Sequence, residues 1–125
     1  MVNEALREEH FRQITDEKAQ AVYDSLCDAC DRRPDGLTDA DQMLIRDVAY
    51  SEQVKGMLME DILQRGVGCE RTNGRQRYYQ ENPSLRQVRN FSETQRKLMA
   101  ELKLTPSARK AASVEIEDDF DSFPD

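Results

Sequence analysis

The stretch from Thr38 to Gly66 restricts the fold of this chain more than any other. Thr38 followed three positions later by Asp41 is a capping-box pattern, and Gly66 is a stop signal, so the spacing predicts one long helix from Thr38 to Arg65. At about 100° per residue, Met43, Leu44, Ile45, Val48, Ala49, Tyr50, Val54, Met57, Leu58, Met59, Ile62 and Leu63 take up most of its circumference. Only Arg46, Gln53, Glu60 and Gln64 leave a polar stripe, at near-heptad spacing. One partner helix in a small monomer does not cover so wide an apolar face. Either a later helix folds back to complete a three-helix core, or a second copy of the chain covers the remainder. In the second case Tyr50, Val54, Met57, Leu58 and Ile62 are the candidate oligomer interface.

Upstream, residues 1–14 read as a polar lead-in, helical or frayed, with Leu6, Phe11 and Ile14 its only large apolar groups and His10 solvated. From a cap at Thr15, Ala19, Val22, Tyr23, Leu26, Cys27 and Cys30 repeat with helical spacing and predict one amphipathic helix with one buried stripe. Asp31–Gly36 is a turn. With the long helix this makes a helical hairpin. Cys27-Asp-Ala-Cys30 has metal-type spacing, but it lies on the buried stripe, and zinc needs two further ligands. Core thiols are the better reading, so no metal site and no cofactor is assigned. Three cysteines with no apolar leader after Met1 argue against a disulfide framework. No run approaches the roughly 18 apolar residues of a membrane span.

Downstream, Asn73-Gly74 predicts a type I′ turn between two short strands, a β-hairpin over about residues 67–80. Asn82-Pro83 starts a third helix, apolar at Leu85, Val88, Phe91, Leu98, Met99 and Leu102 and ending near Leu104, before Thr105-Pro106. Residues 113–125 form an acidic tail in which Phe120 and Phe123 stand among carboxylates, a composition that predicts disorder in isolation. The fold class is therefore all-α with a small β-hairpin, one domain over residues 15–112 with a lead-in and a tail.

The net charge of −7 conceals a segregation. Residues 1–63 hold 7 Lys/Arg against 15 Asp/Glu, residues 64–110 hold 11 against 4, and residues 111–125 hold none against 6. The basic segment places Arg71, Arg75 and Arg77 on the hairpin, Arg86, Arg89, Arg96, Lys97 and Lys103 on the third helix, and Arg109 and Lys110 after it. Arg89, Arg96 and Lys103 repeat every seven residues and share a face. Seven of these ten are arginines, whose guanidinium forks suit phosphate oxygens. They are the candidate DNA-binding residues, the plainer reading being a solvated face paired with acidic helices. No phosphate-cradling glycine loop is present, and the acidic pairs Asp39/Asp41 and Asp118/Asp119 fall at a helix cap and in the tail, so no catalytic residue is assigned.

Three anchors, in this order and spacing, carry a resemblance: LTDAD at Leu37–Asp41, NG…Y…NP from Asn73 to Pro83, and LKLTPSAR at Leu102–Arg109. With them the chain resembles the small subunits of tailed-phage terminases over roughly Asp16 to Ala112. The resemblance implies a ring-forming subunit, not an enzyme, that binds viral double-stranded DNA to start genome packaging. It also implies recruitment of the large subunit, the ATPase and nuclease, in the host cytoplasm. Charge and composition, not the resemblance, place the large-subunit contact at Phe120 and Phe123. A small oligomeric transcriptional regulator and a protein-only helical adaptor stay open as alternatives.

Overall fold

The computed structural model describes residues 1–104 and shows four helices and one two-stranded antiparallel sheet. They run in the order α1 (Glu4–His10), α2 (Glu17–Asp31), α3 (Asp39–Arg65), β1 (Gly68–Asn73), β2 (Gln76–Glu81) and α4 (Pro83–Glu101). The fold is mainly helical with a small hairpin, as the sequence predicts.

The long helix, α3, is the axis. Its capping box forms in full: the Thr38 hydroxyl accepts from the Asp41 N–H at 3.1 Å, and the Asp41 carboxylate accepts from the Thr38 N–H at 3.1 Å. At its other end Gly66 has φ +82°, a conformation that favours glycine. Spanning about 40 Å at 1.5 Å per residue, α3 is longer than any partner it has. α2 packs on its first half, and α4 runs back along it from Asp61 to the Thr38 end.

The core gathers at the Thr38 end. Ile14, Ala19, Tyr23, Cys27, Cys30, Leu37, Ile45, Ala49 and Leu102 are buried together there. Burial pushes the Cys27 thiol up to about 12 and raises Cys30 in the same direction, so both are packed as small apolar groups. Arg33, only 14% exposed, closes this end. It donates to the carbonyls of Cys30, Gly36 and Leu102 and to the Asp41 carboxylate at 2.5 Å, joining the α2–α3 turn to the last turn of α4. Burial works to raise the Asp41 carboxyl, but the hydrogen bonds from Thr38 and Arg33 outweigh it and hold the group below its usual value.

The lead-in is part of this core. Residues 4–10 form α1, capped by Asn3, and the α1–α2 link is held by the polar stripe of α3. The Gln53 amide accepts from the N–H groups of Thr15 and Asp16 at 2.8 Å and donates to the Gln13 carbonyl; Arg46 donates to the Gln13 side chain. What reads in the sequence as a solvent-facing stripe is, at Arg46 and Gln53, a docking strip for the chain's own first segment. Asp16, not Thr15, caps α2.

His10 is likewise buried, correcting the reading as a solvated side chain. The Gln42 amide is bracketed by the backbone of Asn3, which fixes its orientation, and its nitrogen donates to the Tyr23 oxygen at 2.9 Å. The Tyr23 oxygen lies 2.7 Å from His10 Nδ1, so a buried hydrogen-bonded chain runs from Gln42 through Tyr23 to His10. Burial first, and the charge of Arg46 second, lower the His10 pKa; burial raises Tyr23 to about 12.

α4 ends at Glu101 rather than near Leu104. Lys103 takes φ +59°, with its N–H bonded to the Ala100 carbonyl and the Leu104 N–H to that of Met99. This is a Schellman cap with a lysine where glycine is usual.

Candidate nucleic-acid interface

The hairpin leaves the helical body at the Gly66 end of α3, where a second polar cluster anchors it. Asp61 accepts from Arg65 Nε at 2.7 Å, from the Ser84 hydroxyl at 2.8 Å and from the Asn82 amide at 3.3 Å. Asn82 also donates to the Gly66 carbonyl, accepts from the Ser84 N–H as the cap of α4, and bonds through its own N–H to the Val67 carbonyl. One carboxylate and one amide thus tie together the end of α3, both feet of the ribbon and the start of α4. Hydrogen bonds from Arg65, Ser84 and Asn82, in that order, hold Asp61 well below the usual carboxylate range. No local pattern in the sequence marks Asp61 or Ser84 for this role, because their partners lie 21 to 23 residues apart.

Beyond the anchor, every strand residue except Gly68 is exposed. The turn differs from the sequence reading. Asn73 pairs with Gln76, so the loop is Gly74-Arg75, and only Gly74 has positive φ, at +66°. A type I′ turn needs positive φ at both central residues; a glycine alone at the first fits type II′. The shift sets which side chains stand opposite one another, and it moves Asn73 from the loop onto the strand and Arg75 from the strand to the tip. Arg71 stands opposite Tyr78, and Thr72 opposite Arg77. Arg71 and Arg77 therefore point to opposite faces, with Arg75 at the tip. At Gly68 an added Cβ would lie 2.7 Å from the Gln80 carbonyl and would collide with the Tyr79 ring, which covers this glycine.

On α4 the half-buried seam is Leu85, Val88, Phe91, Gln95, Leu98 and Met99. Gln95 accepts from Lys55 and donates to the Val48 carbonyl and to Glu52, pinning the seam to α3. Arg86, Arg89, Arg96 and Lys97 are exposed on the side away from it. Arg96 is paired with Glu93; Arg71, Arg75, Arg77, Arg86, Arg89, Lys97 and Lys103 enter no salt bridge among the described residues. Lys103, at the Schellman cap, does not continue the heptad face of Arg89 and Arg96. Arg109, Lys110, Phe120 and Phe123 lie outside the described residues.

Of the face assigned to a second copy, Tyr50 is 44% and Met57 67% exposed, with Val54 half-buried one turn from each. Met43 extends the same stripe. Leu58 and Ile62 are half-buried and, by helical spacing, turn towards the α4 side. α4 does fold back on α3, yet α3 keeps one uncovered apolar side.

Residues 19–119 match a family described as phage terminase, small subunit. The chain belongs to that family. No curated protein and no solved structure matched it. The match begins inside α2 and spans all of α3, the hairpin and α4. Terminase small subunits are in general non-catalytic regulatory subunits in phage DNA packaging. Among the described residues of this one, no helix is long and apolar enough to cross a membrane.

Proposed function

We propose that this terminase small subunit starts genome packaging by binding viral double-stranded DNA through its basic hairpin and the outer face of α4. On this reading it presents the DNA to the large subunit in the host cytoplasm. The observation that carries the proposal is the set of exposed arginines Arg71, Arg75, Arg77, Arg86 and Arg89, which lack carboxylate partners among the described residues. Three lie on a projecting ribbon and two on the first turns of the helix that follows its anchor. In a protein of net charge −7, such a concentration directs a polyanion to one region.

Self-association through Tyr50, Val54 and Met57 multiplies that surface, since weak phosphate contacts repeated around an assembly add in effect. Phe120 and Phe123, among carboxylates, are the proposed contact for the large subunit, a non-catalytic recruitment role. Replacing Arg75, Arg77, Arg86 and Arg89 by Ala tests the DNA surface. Affinity for duplex DNA at 50–100 mM salt should fall at least tenfold, with a shallower dependence on salt concentration, because fewer counterions are released. A folded variant with unchanged affinity would remove this surface from the account and favour the protein-only adaptor.

A further inference from the structure

The two faces of the hairpin are chemically different, and the observed register adds Asn73 to one of them. Cross-strand partners project to the same side, and neighbours along a strand to opposite sides. Glu70, Thr72, Arg77, Tyr79 and Glu81 share one face, with Gly68 beneath the Tyr79 ring. The other carries Arg71, Asn73, Gln76, Tyr78 and Gln80, with Cys69 at its foot. Both glutamates of the ribbon fall on the first face. The second has no carboxylate, one guanidinium, and three side-chain amides.

Neither face has the apolar residues that would let it cover a core, and a two-stranded ribbon is marginal by itself. Even so, the chain fixes this one firmly. Asp61 and Asn82 anchor both feet, Gly74 supplies the positive φ of the tip, and Tyr79 lies over Gly68. The result is a held, projecting ribbon with side chains free on both sides.

A two-stranded ribbon is one of the shapes that the major groove of B-DNA admits. The donor and acceptor pairs of arginine match guanine O6 and N7, and those of asparagine and glutamine match adenine N6 and N7. A face bearing such groups and no carboxylate is suited to base edges. We infer that the hairpin enters the major groove with the Arg71–Asn73–Gln76–Gln80 face towards the bases. Arg77, Arg86 and Arg89 hold the flanking phosphates. Tyr78, between the polar groups, offers its ring to a thymine methyl. This inference rests on the DNA-binding reading above and adds that the ribbon, not α4, carries sequence preference.

The test is selection from a pool of randomised duplexes with the full chain, compared with Asn73→Ala/Gln76→Ala and Thr72→Ala/Glu70→Gln variants. Each protein is also titrated on one fixed duplex of arbitrary sequence at several salt concentrations. The parent should enrich a motif. Asn73→Ala/Gln76→Ala should lose preference at two or more adjacent base pairs, about tenfold or more in the ratio of selected to arbitrary duplex. Its affinity and salt slope on the arbitrary duplex should match the parent. The Thr72→Ala/Glu70→Gln variant should keep the motif. Absence of any motif in the parent, a motif unchanged in Asn73→Ala/Gln76→Ala, or one lost only on the Thr72/Glu70 side would each overturn the inference while leaving phosphate binding intact. Failure of the parent to bind any duplex would instead bring down the functional reading beneath it. Unchanged thermal melting of both variants, whose positions lie outside the core, confirms that they are folded.

Discussion

The two ends of α3 are built from similar parts for different ends. At each, a carboxylate on α3 accepts from an arginine and from a capping residue: Asp41 with Arg33 and Thr38, Asp61 with Arg65, Asn82 and Ser84. At the Thr38 end the cluster sits on a core of buried Tyr23, Ile45 and Leu102, sheathed by α1 and α2. At the Gly66 end the packing stays partial, without a buried apolar cluster among the described residues, and Met59 and Leu63 are exposed at 51% and 86%. The first cluster completes a core, whereas the second holds a ribbon out from one. Polar joints of this kind are thus compatible with either outcome, and the apolar groups around them decide which.

The largest expected contrast comes from removing an aromatic ring at each end. Tyr23→Ala should cost about 4 kcal/mol, from the cavity and from the stranded partners Gln42 and His10. Tyr79→Ala, on the exposed ribbon, should change global stability by no more than about 0.5 kcal/mol. Urea denaturation of both variants measures this, and comparable losses would break the contrast.

Acid should also separate the ends. His10 is neutral in the fold with its pKa below the ordinary 6.5, so the unfolded chain binds the extra proton first. Its contribution to stability is present above pH 6.5 and declines as pH falls below that value. Asp61 is depressed, so what it contributes is present above its ordinary 3.8 and declines only below that. The melting temperature should fall between pH 7 and pH 5, and His10→Gln should flatten that dependence. Dispersion of the hairpin amide resonances should persist to about pH 4.

The smallest effect is expected at the cap of α4. Lys103 holds φ +59° where glycine is unstrained, so Lys103→Gly should stabilise by up to about 1 kcal/mol in the same denaturation assay.

Helices and the caps of α3 and α4 were legible in the sequence because their signals are local. Thr38 and Asp41 are three residues apart, Asn82 adjoins Pro83, and the stripe from Ala19 to Cys30 repeats within one element. These are also the kinds of residue that carry the terminase resemblance, and the structure shows why. LTDAD forms the cap that Arg33 clamps, NG and NP lie at the ribbon's tip and foot, and Leu102 is the buried end of α4. The signature marks the places where the chain bends.

What escaped was set by pairing over distance. His10 looked solvated because its partner, Tyr23, lies 13 positions away on another helix and is itself held by Gln42 on a third. Arg46 and Gln53 looked like a free polar stripe until α1 and its link docked on them. The place of Asn73 on the ribbon depended on a register that Asn-Gly alone misassigns by one residue, since Asn73 is paired with Gln76 and Gly74-Arg75 forms the loop.

The most direct test of the division between a structural end and a DNA-binding end is amide hydrogen exchange with and without duplex DNA. Slowed exchange at residues 68–81 and in the first turns of α4, with α1 and α2 unchanged, is the result this account predicts. Slowing confined to α1 and α2, with the hairpin unaffected, would contradict it.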